Sequence, residues 1–297
     1  MGKLTLLLPR VAHELAALPR LLGRADALPA RAPGLLPALA EAYGMPAATL
    51  PVAALLRQAA AGDCGNDVWL CADPVYVQAD AAGARMLAWG DLGLDAAEAE
   101  SLARPLRPLL GDAGLLLETT TADRWQLRLA AGTPLPGFSA PEQVLGAALL
   151  EHLPAGHEGR RWRALFNEVQ MILHQHPRNR ARQASGLMPV NALWFWGGGT
   201  LPTHPPRPVQ ALLATDALAL ALARHAGSTP LAALTQWDGQ GACFADAADR
   251  AAASAALDAA RSWLRAGVTL ELGFDDGRRW RITRGQRWRF WRRDWRG

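Results

Sequence analysis

The chain has 297 residues, half of them apolar and 20% charged. That balance supports a packed core and excludes disordered, collagenous and disulfide-scaffold classes. The formal net charge is +4, yet residues 278–297 hold nine Arg against one Asp, so the rest of the chain is acidic and a uniformly basic nucleic-acid protein is excluded.

From the N-terminus, Leu4–Leu8 is an apolar run closed by Pro9, too short for a signal-peptide core. Frequent Pro through residue 51 keeps the early helices short; Leu35–Tyr43 and Val52–Ala60 are the expected ones. Val68–Leu70 and Val75–Gln78 read as strands split by Asp73-Pro74. Asp95 is a good N-cap for a helix ending at Ala103, before Pro105. Trp125, Leu127 and Leu129 alternate with polar residues, the period of a strand. Gly132–Pro141 reads as a link. Gly159–Gln175 carries one apolar stripe from Trp162 to His176 and should be a helix ended by Pro177.

Asn191–Trp196 reads as a strand running into a turn at Gly197, Gly198 and Gly199. Val209–Ala214 is a further strand, leading through Asp216 into the helix Ala217–Ala226, closed by Gly227. Ala245–Arg265 reads as an Ala-rich helix. Asp275-Asp276-Gly277 signals a hairpin. Thr269–Leu272, Arg279–Thr283 and Arg287–Arg292 would form an antiparallel meander, with Trp280, Ile282, Trp288 and Phe290 beneath and arginines outside. The expected fold class is α/β, a mixed sheet flanked by helices with this C-terminal meander. The expected division is 1–131, 132–267 and 268–297.

Three Cys without CxxC spacing argue against disulfides and structural zinc. With no apolar stretch of the roughly 18–20 residues that span a bilayer, the expectation is a cytoplasmic protein without membrane contact. His174 and His176 lie about 200° apart on a regular helix and chelate one ion only if Pro177 kinks it. No G-x-S-x-G elbow is present, which argues against a serine hydrolase. Gly197–Gly199 could cradle an anion with backbone N–H groups or merely permit a tight crossing. Arg279, Arg281, Arg287 and Arg289 on the meander could contact nucleic acid or a protein partner, or could simply cover a Trp core with their stems.

The segment Leu173–Gly199, with His176-Pro177, Asn179, Pro189, Asn191 and the glycines, resembles archaeal-type cofactor-independent phosphoglycerate mutases of the alkaline-phosphatase-like superfamily. The motifs Ala72-Asp73-Pro74, Asn167-Glu168-x-Gln170-Met171, His174-Gln175-His176-Pro177, Leu193-Trp194-x-Trp196-Gly197-Gly198-Gly199 and Arg287–Arg293 look closer still to a bacterial group, the phosphoglycerate-mutase-related regulatory protein RpfE family.

The resemblance implies a reduced mutase cap plus part of its sheet. The superfamily's N-terminal Asp-Gly metal motif has no counterpart in Gly2–Arg10. Its nucleophile region is missing from Gly44–Asp67, its Arg-rich substrate turn is replaced by Ala88-Trp89-Gly90-Asp91, and no His follows His225. Two-metal phosphoryl transfer needs both the ions and an in-line nucleophile.

The leading expectation is therefore a regulatory or ligand-binding relative with no cofactor. It would take a small phosphorylated or carboxylate ligand at Arg124, His176, Asn179, Asn191, Trp194, Trp196 and Gly197–Gly199. The alternative is an active mutase or phosphatase using Mn or Mg on rewired ligands such as Asp73, His174, His176 and Asp216. A third expectation is a module binding nucleic acid or protein through the Arg/Trp tail.

Overall fold

The computed structural model describes residues 2–16, 18–80, 83–203, 209–289, 291, 292 and 295. It is a mixed α/β protein whose sheets are flanked by helices. The strands are β1 (Lys3–Leu8), β2 (Asp26–Leu28), β3 (Val68–Asp80), β4 (Gly83–Trp89), β5 (Leu116–Thr119), β6 (Trp125–Leu129), β7 (Ala192–Gly199), β8 (Ala211–Leu213), β9 (Thr229–Pro230), β10 (Ala242–Asp246), β11 (Thr269–Phe274) and β12 (Arg279–Ile282). The helices are α1 (Leu18–Arg24), α2 (Leu35–Ala42), α3 (Val52–Ala61), α4 (Ala96–Ala103), α5 (Leu106–Asp112), α6 (Pro141–Val144), α7 (Gly156–His174), α8 (Pro177–Ala184), α9 (Ala217–Ala226) and α10 (Arg250–Arg265).

The chain divides into two compact units, one of Met1–Ala47 with Thr203–Gly297, the other Ala48–Pro202. The boundaries expected at 131/132 and 267/268 do not coincide with these units. The reason is pairing across the whole sequence: β1 lies parallel between β10 and β11, so the first strand is completed by the last third of the chain.

In the first unit the described strands run in the order β2-β12-β11-β1-β10-β8-β9. Leu4, Leu6 and Leu8 alternate along β1 and are fully buried in one core with Leu18 and Leu22 of α1 and Ala253, Leu257 and Ala260 of α10. Each such leucine contributes about 1.5–3 kcal/mol on burial. The hairpin at Asp275–Gly277 forms as expected, pairing Leu272 with Trp280 and Leu270 with Ile282.

Two expectations need correction here. The meander's third strand is β2, paired antiparallel to β12, whereas Arg284–Trp288 forms a 3₁₀ turn and leaves Trp288 63% exposed. A Thr283–Gln286 capping box starts that turn, which ends the extended run. The helix expected from Ala245 starts at Arg250. Residues Ala242–Asp246 are instead a strand enclosed between β1 and β8, and the Asp249 carboxylate accepts from Ala252 N–H as the true cap.

In the second unit β3 is one strand of 13 residues, not two. Pro74 is tolerated because one edge of β3 changes partner there. β6 pairs with Val68–Cys71 and β4 with Val75–Asp80, leaving Asp73-Pro74 in the gap, where a missing N–H costs no ladder bond. The opposite edge is held by β7, since Cys71 and Val75 each have a partner on both sides. β7 itself extends through Gly199, so the expected glycine turn is strand. α7 packs Trp162, Leu165, Phe166, Val169 and Leu173 inward, the stripe read from the sequence. Pro177 ends that helix by starting another, standing at the first turn of α8 with His176 as its N-cap.

Candidate functional site

The gap in the edge of β3 defines the polar centre of the second unit. Asp73 is fully buried there. Its Oδ2 accepts from Arg124 Nη1 at 2.8 Å, Trp89 Nε1 at 2.9 Å and Trp196 Nε1 at 2.8 Å. Arg124 immediately precedes β6, Trp89 ends β4 and Trp196 lies on β7, so the three strands around the gap each send one donor. The Arg124 guanidinium also lies over the Trp89 ring, 4.7 Å from its centroid, and Trp89 meets Trp196 edge to face at 6.0 Å. Asp73 Oδ1 is buried without a partner. Burial pushes the Asp73 carboxyl above the ordinary range, against the pull of Arg124 and the two indoles.

The other residues expected to line an anion pocket are engaged elsewhere. Asn179 donates to the carbonyls of Leu173 and Val190 and accepts from Val190 N–H, tying α8 to the residues before β7. Asn191 accepts from Val77 N–H and donates to Val77 C=O, so its amide extends the β3–β7 ladder by one pair. His176 Nδ1 accepts from Arg178 N–H as the α8 cap. Burial holds its pKa below the usual imidazole value, opposed by the Ser101 main chain. Trp194 donates to Ser139 C=O.

The three glycines are explained by packing. A Cβ at Gly197 would meet Val52 Cβ at 2.7 Å, one at Gly198 would strike Leu135 and Leu70, and one at Gly199 would lie 2.9 Å from Pro51. The start of α3 and the Leu135 segment thus sit directly on β7. Only Arg124, Asp73 and Trp196 among the expected residues come together at one centre. Trp89 was marked in the sequence only as a replacement for an arginine turn, and its indole donor is what completes that centre.

The tail arginines are likewise engaged. Arg279 pairs with Glu41 and donates to Pro29 C=O; Arg281 pairs with Glu271; Arg289 pairs with Asp26. The Arg287 side chain lies outside the described residues. The acids at the opposite ends of these pairs come from β2, α2 and β11, so Arg279, Arg281 and Arg289 are each met by a carboxylate of another element.

The four side chains considered for Mn or Mg do not form a ligand set. Asp73 already receives three donors, His176 caps α8, and Asp216 Oδ1 accepts from Ala219 N–H as the cap of α9. His174 lies exposed at the end of α7. Among the described residues no three His, Cys, Asp or Glu stand together as metal ligands.

A further acid pair closes the carboxyl edge of the parallel strands, where open α/β sheets bind ligands. Asp246 ends β10 and Asp216 follows β8. Burial, aided by Asp216, pushes the Asp246 pKa up to about 6. The folded state therefore holds a proton that the unfolded chain releases near pH 4, so stability falls as pH rises from about 4 through 6. Asp246→Asn is expected to abolish that slope and to stabilise the protein by about 2–3 kcal/mol above pH 6, at most. Urea midpoints of both proteins across pH 4–8 check this.

No family model matches the chain. Over 62 residues, 21% of its length, it is 40% identical to a probable 2,3-bisphosphoglycerate-independent phosphoglycerate mutase of Geobacter sulfurreducens. Over 65 residues it is 34% identical to the 2,3-bisphosphoglycerate-independent phosphoglycerate mutase of Methanothrix thermoacetophila. These matches span only 16% and 17% of those relatives' own lengths. Two solved structures align more widely. The PH0037 protein of Pyrococcus horikoshii has a TM-score of 0.46 and 16% identity over 92% of this chain and 81% of its own. The cofactor-independent phosphoglycerate mutase of Thermoplasma acidophilum has a TM-score of 0.40 and 14% identity over 96% and 90%. The chain is thus partly homologous to 2,3-bisphosphoglycerate-independent phosphoglycerate mutases. No helix among its described residues is long and apolar enough to cross a membrane.

Proposed function

We propose that this is a phosphoglycerate-mutase-related, RpfE-like regulatory protein that binds a small phosphorylated or carboxylate ligand without mutase turnover. The observation that carries the absence of turnover in this reading is the Asp73 centre. A two-metal phosphoryl-transfer site needs carboxylates open to cations and a nucleophile in line. Here the buried carboxylate is engaged by Arg124, Trp89 and Trp196, so these residues hold three strands together around a gap. Asn179, Asn191 and the glycines of β7 serve the same scaffold.

The test is direct. Purified protein with Mn²⁺ or Mg²⁺ is expected to show no interconversion of 3- and 2-phosphoglycerate above the protein-free rate. Turnover that follows protein concentration would overturn the reading. A second reading, a phosphatase or mutase working from the first unit, is favoured by one feature: the high-pKa Asp246 beside Asp216 at the carboxyl edge of the sheet. Turnover lost in Asp246→Asn would establish it.

A further inference from the structure

On one face of the first unit's sheet, α2 packs on β1 and β10, and a cavity of about 200 Å³ remains beside β11. Its wall includes Lys3, Thr5, Arg31, Glu41, Glu271 and Gly273. The register explains their meeting: Thr5 lies beside Glu271 and Leu7 beside Gly273, so these positions form one patch on one side of the sheet. Gly273 supplies the opening, because a Cβ there would stand 2.7 Å from Arg31 Nη2.

Arg31 is the unusual member. Its side chain is 9% exposed, yet its contact with an acid is an ion pair to Glu41 at 3.7 Å, and Glu41 also pairs with Arg279. Arg31 Nε and Nη2 are buried with no hydrogen-bond partner. A buried guanidinium lacking acceptors is costly, and each such group calls for an acceptor to explain it. Nε–H and Nη2–H form the edge that takes a carboxylate or phosphate with two parallel bonds.

Glu271 does not supply the missing acceptor, because it is held by Lys3 at 2.9 Å and by Arg281 at 3.2 Å. The lining therefore keeps an excess of cation, with Lys3, Arg31 and Arg279 against Glu41 and Glu271. Nη1 faces Glu41, while Nε and Nη2 make no hydrogen bond, so an acceptor that reaches this edge from the cavity displaces none.

We propose that this cavity binds the oxyanion group of a small organic acid or phosphate ester, with Arg31 as principal donor and Thr5 and Lys3 beside it. The site is built from residues of the first unit, whereas Asp73 belongs to the second, and it does not depend on whether the protein turns over phosphoglycerate. Its volume is below the range of drug-sized pockets, which limits the ligand to a small molecule.

The experiment is a thermal-shift titration of the full chain with inorganic phosphate, with acetate, and with chloride at matched ionic strength. Phosphate, acetate or both are expected to raise the Tm by about 2–4 °C over chloride. A response to phosphate alone assigns a phosphate ester; a response to acetate assigns a carboxylate. Arg31→Met is expected to fold, with an equal or higher Tm, and to lose the response. If Arg31→Met does not fold, Thr5→Val, which keeps the strand, is expected to weaken the apparent affinity about tenfold. No shift beyond chloride overturns the proposal. So does a shift retained in full by Arg31→Met, or by Thr5→Val where Arg31→Met does not fold. A mutase assay on the same samples separates this outcome from the fate of the proposed function.

Discussion

Asp73→Ala is expected to destabilise the protein by about 3–5 kcal/mol, a large share of the total stability of an ordinary domain. The substitution removes a fully buried acceptor that serves three donors. Trp196 is itself 3% exposed, so its indole N–H would lose its partner with little access to water. Arg124 keeps part of its side chain at the surface and recovers some hydration, which sets the upper bound.

Asp73→Asn should cost less, because an amide oxygen still accepts from the indoles while the charge facing Arg124 is gone. A double variant, Asp73→Asn with Arg124→Met, should cost less than the sum of its parts, since neither residue then leaves a lone charge. Urea unfolding followed by Trp fluorescence reads all of these, as Trp89 and Trp196 report on the centre itself. A change under 1 kcal/mol for Asp73→Ala would mean that the centre is not structural, which would reopen the catalytic reading.

The second large effect concerns the tail. Deleting residues 278–297 is expected to unfold the first unit, not to trim an appendage. β12 lies between β11 and β2, so its loss bares both edges. Phe274 would lose both Trp280, 8% exposed, which it meets edge to face at 5.6 Å, and Trp295, which stacks on it at 6.4 Å. Asp26, Glu41 and Glu271 would lose arginine partners at the same time. The single change Trp280→Ala should already cost about 3–5 kcal/mol. Circular dichroism and the thermal midpoint check both. A truncated chain with an unchanged midpoint would show that the tail is dispensable.

Much of the local structure was legible in the residues. Asp95, Asp216 and Gly227 stand at helix ends as their chemistry requires. The Trp162–Leu173 stripe faces inward, and Asp275–Gly277 turns a hairpin whose apolar residues pair. These features depend on neighbours within a few residues. Asn179, Asn191 and the glycines of β7 stood out in the sequence for a ligand role. Their partners lie 6 to more than 100 residues away: the two asparagine side chains complete backbone hydrogen bonding, and the glycines admit Val52, Leu135 and Pro51 against β7. No local pattern distinguishes an asparagine that holds a phosphate from one that extends a ladder. The same limit hid Arg31, which looks like any loop arginine until α2 and Gly273 enclose it.

The uneven charge shows where the division falls. The sequence by itself determined that the last twenty residues are basic, that Trp280 and Ile282 alternate with arginines, and that a turn precedes them. Those are properties of spacing and residue type. Only the tertiary structure decided that Arg279–Ile282 is an inner strand of a sheet begun at Lys3, with Asp26, Glu41 and Glu271 facing Arg289, Arg279 and Arg281. Strand order and ion pairing are set by which distant segments meet, and the packing of Trp280, Phe274 and the half-buried Trp295 in one cluster is what brings them together.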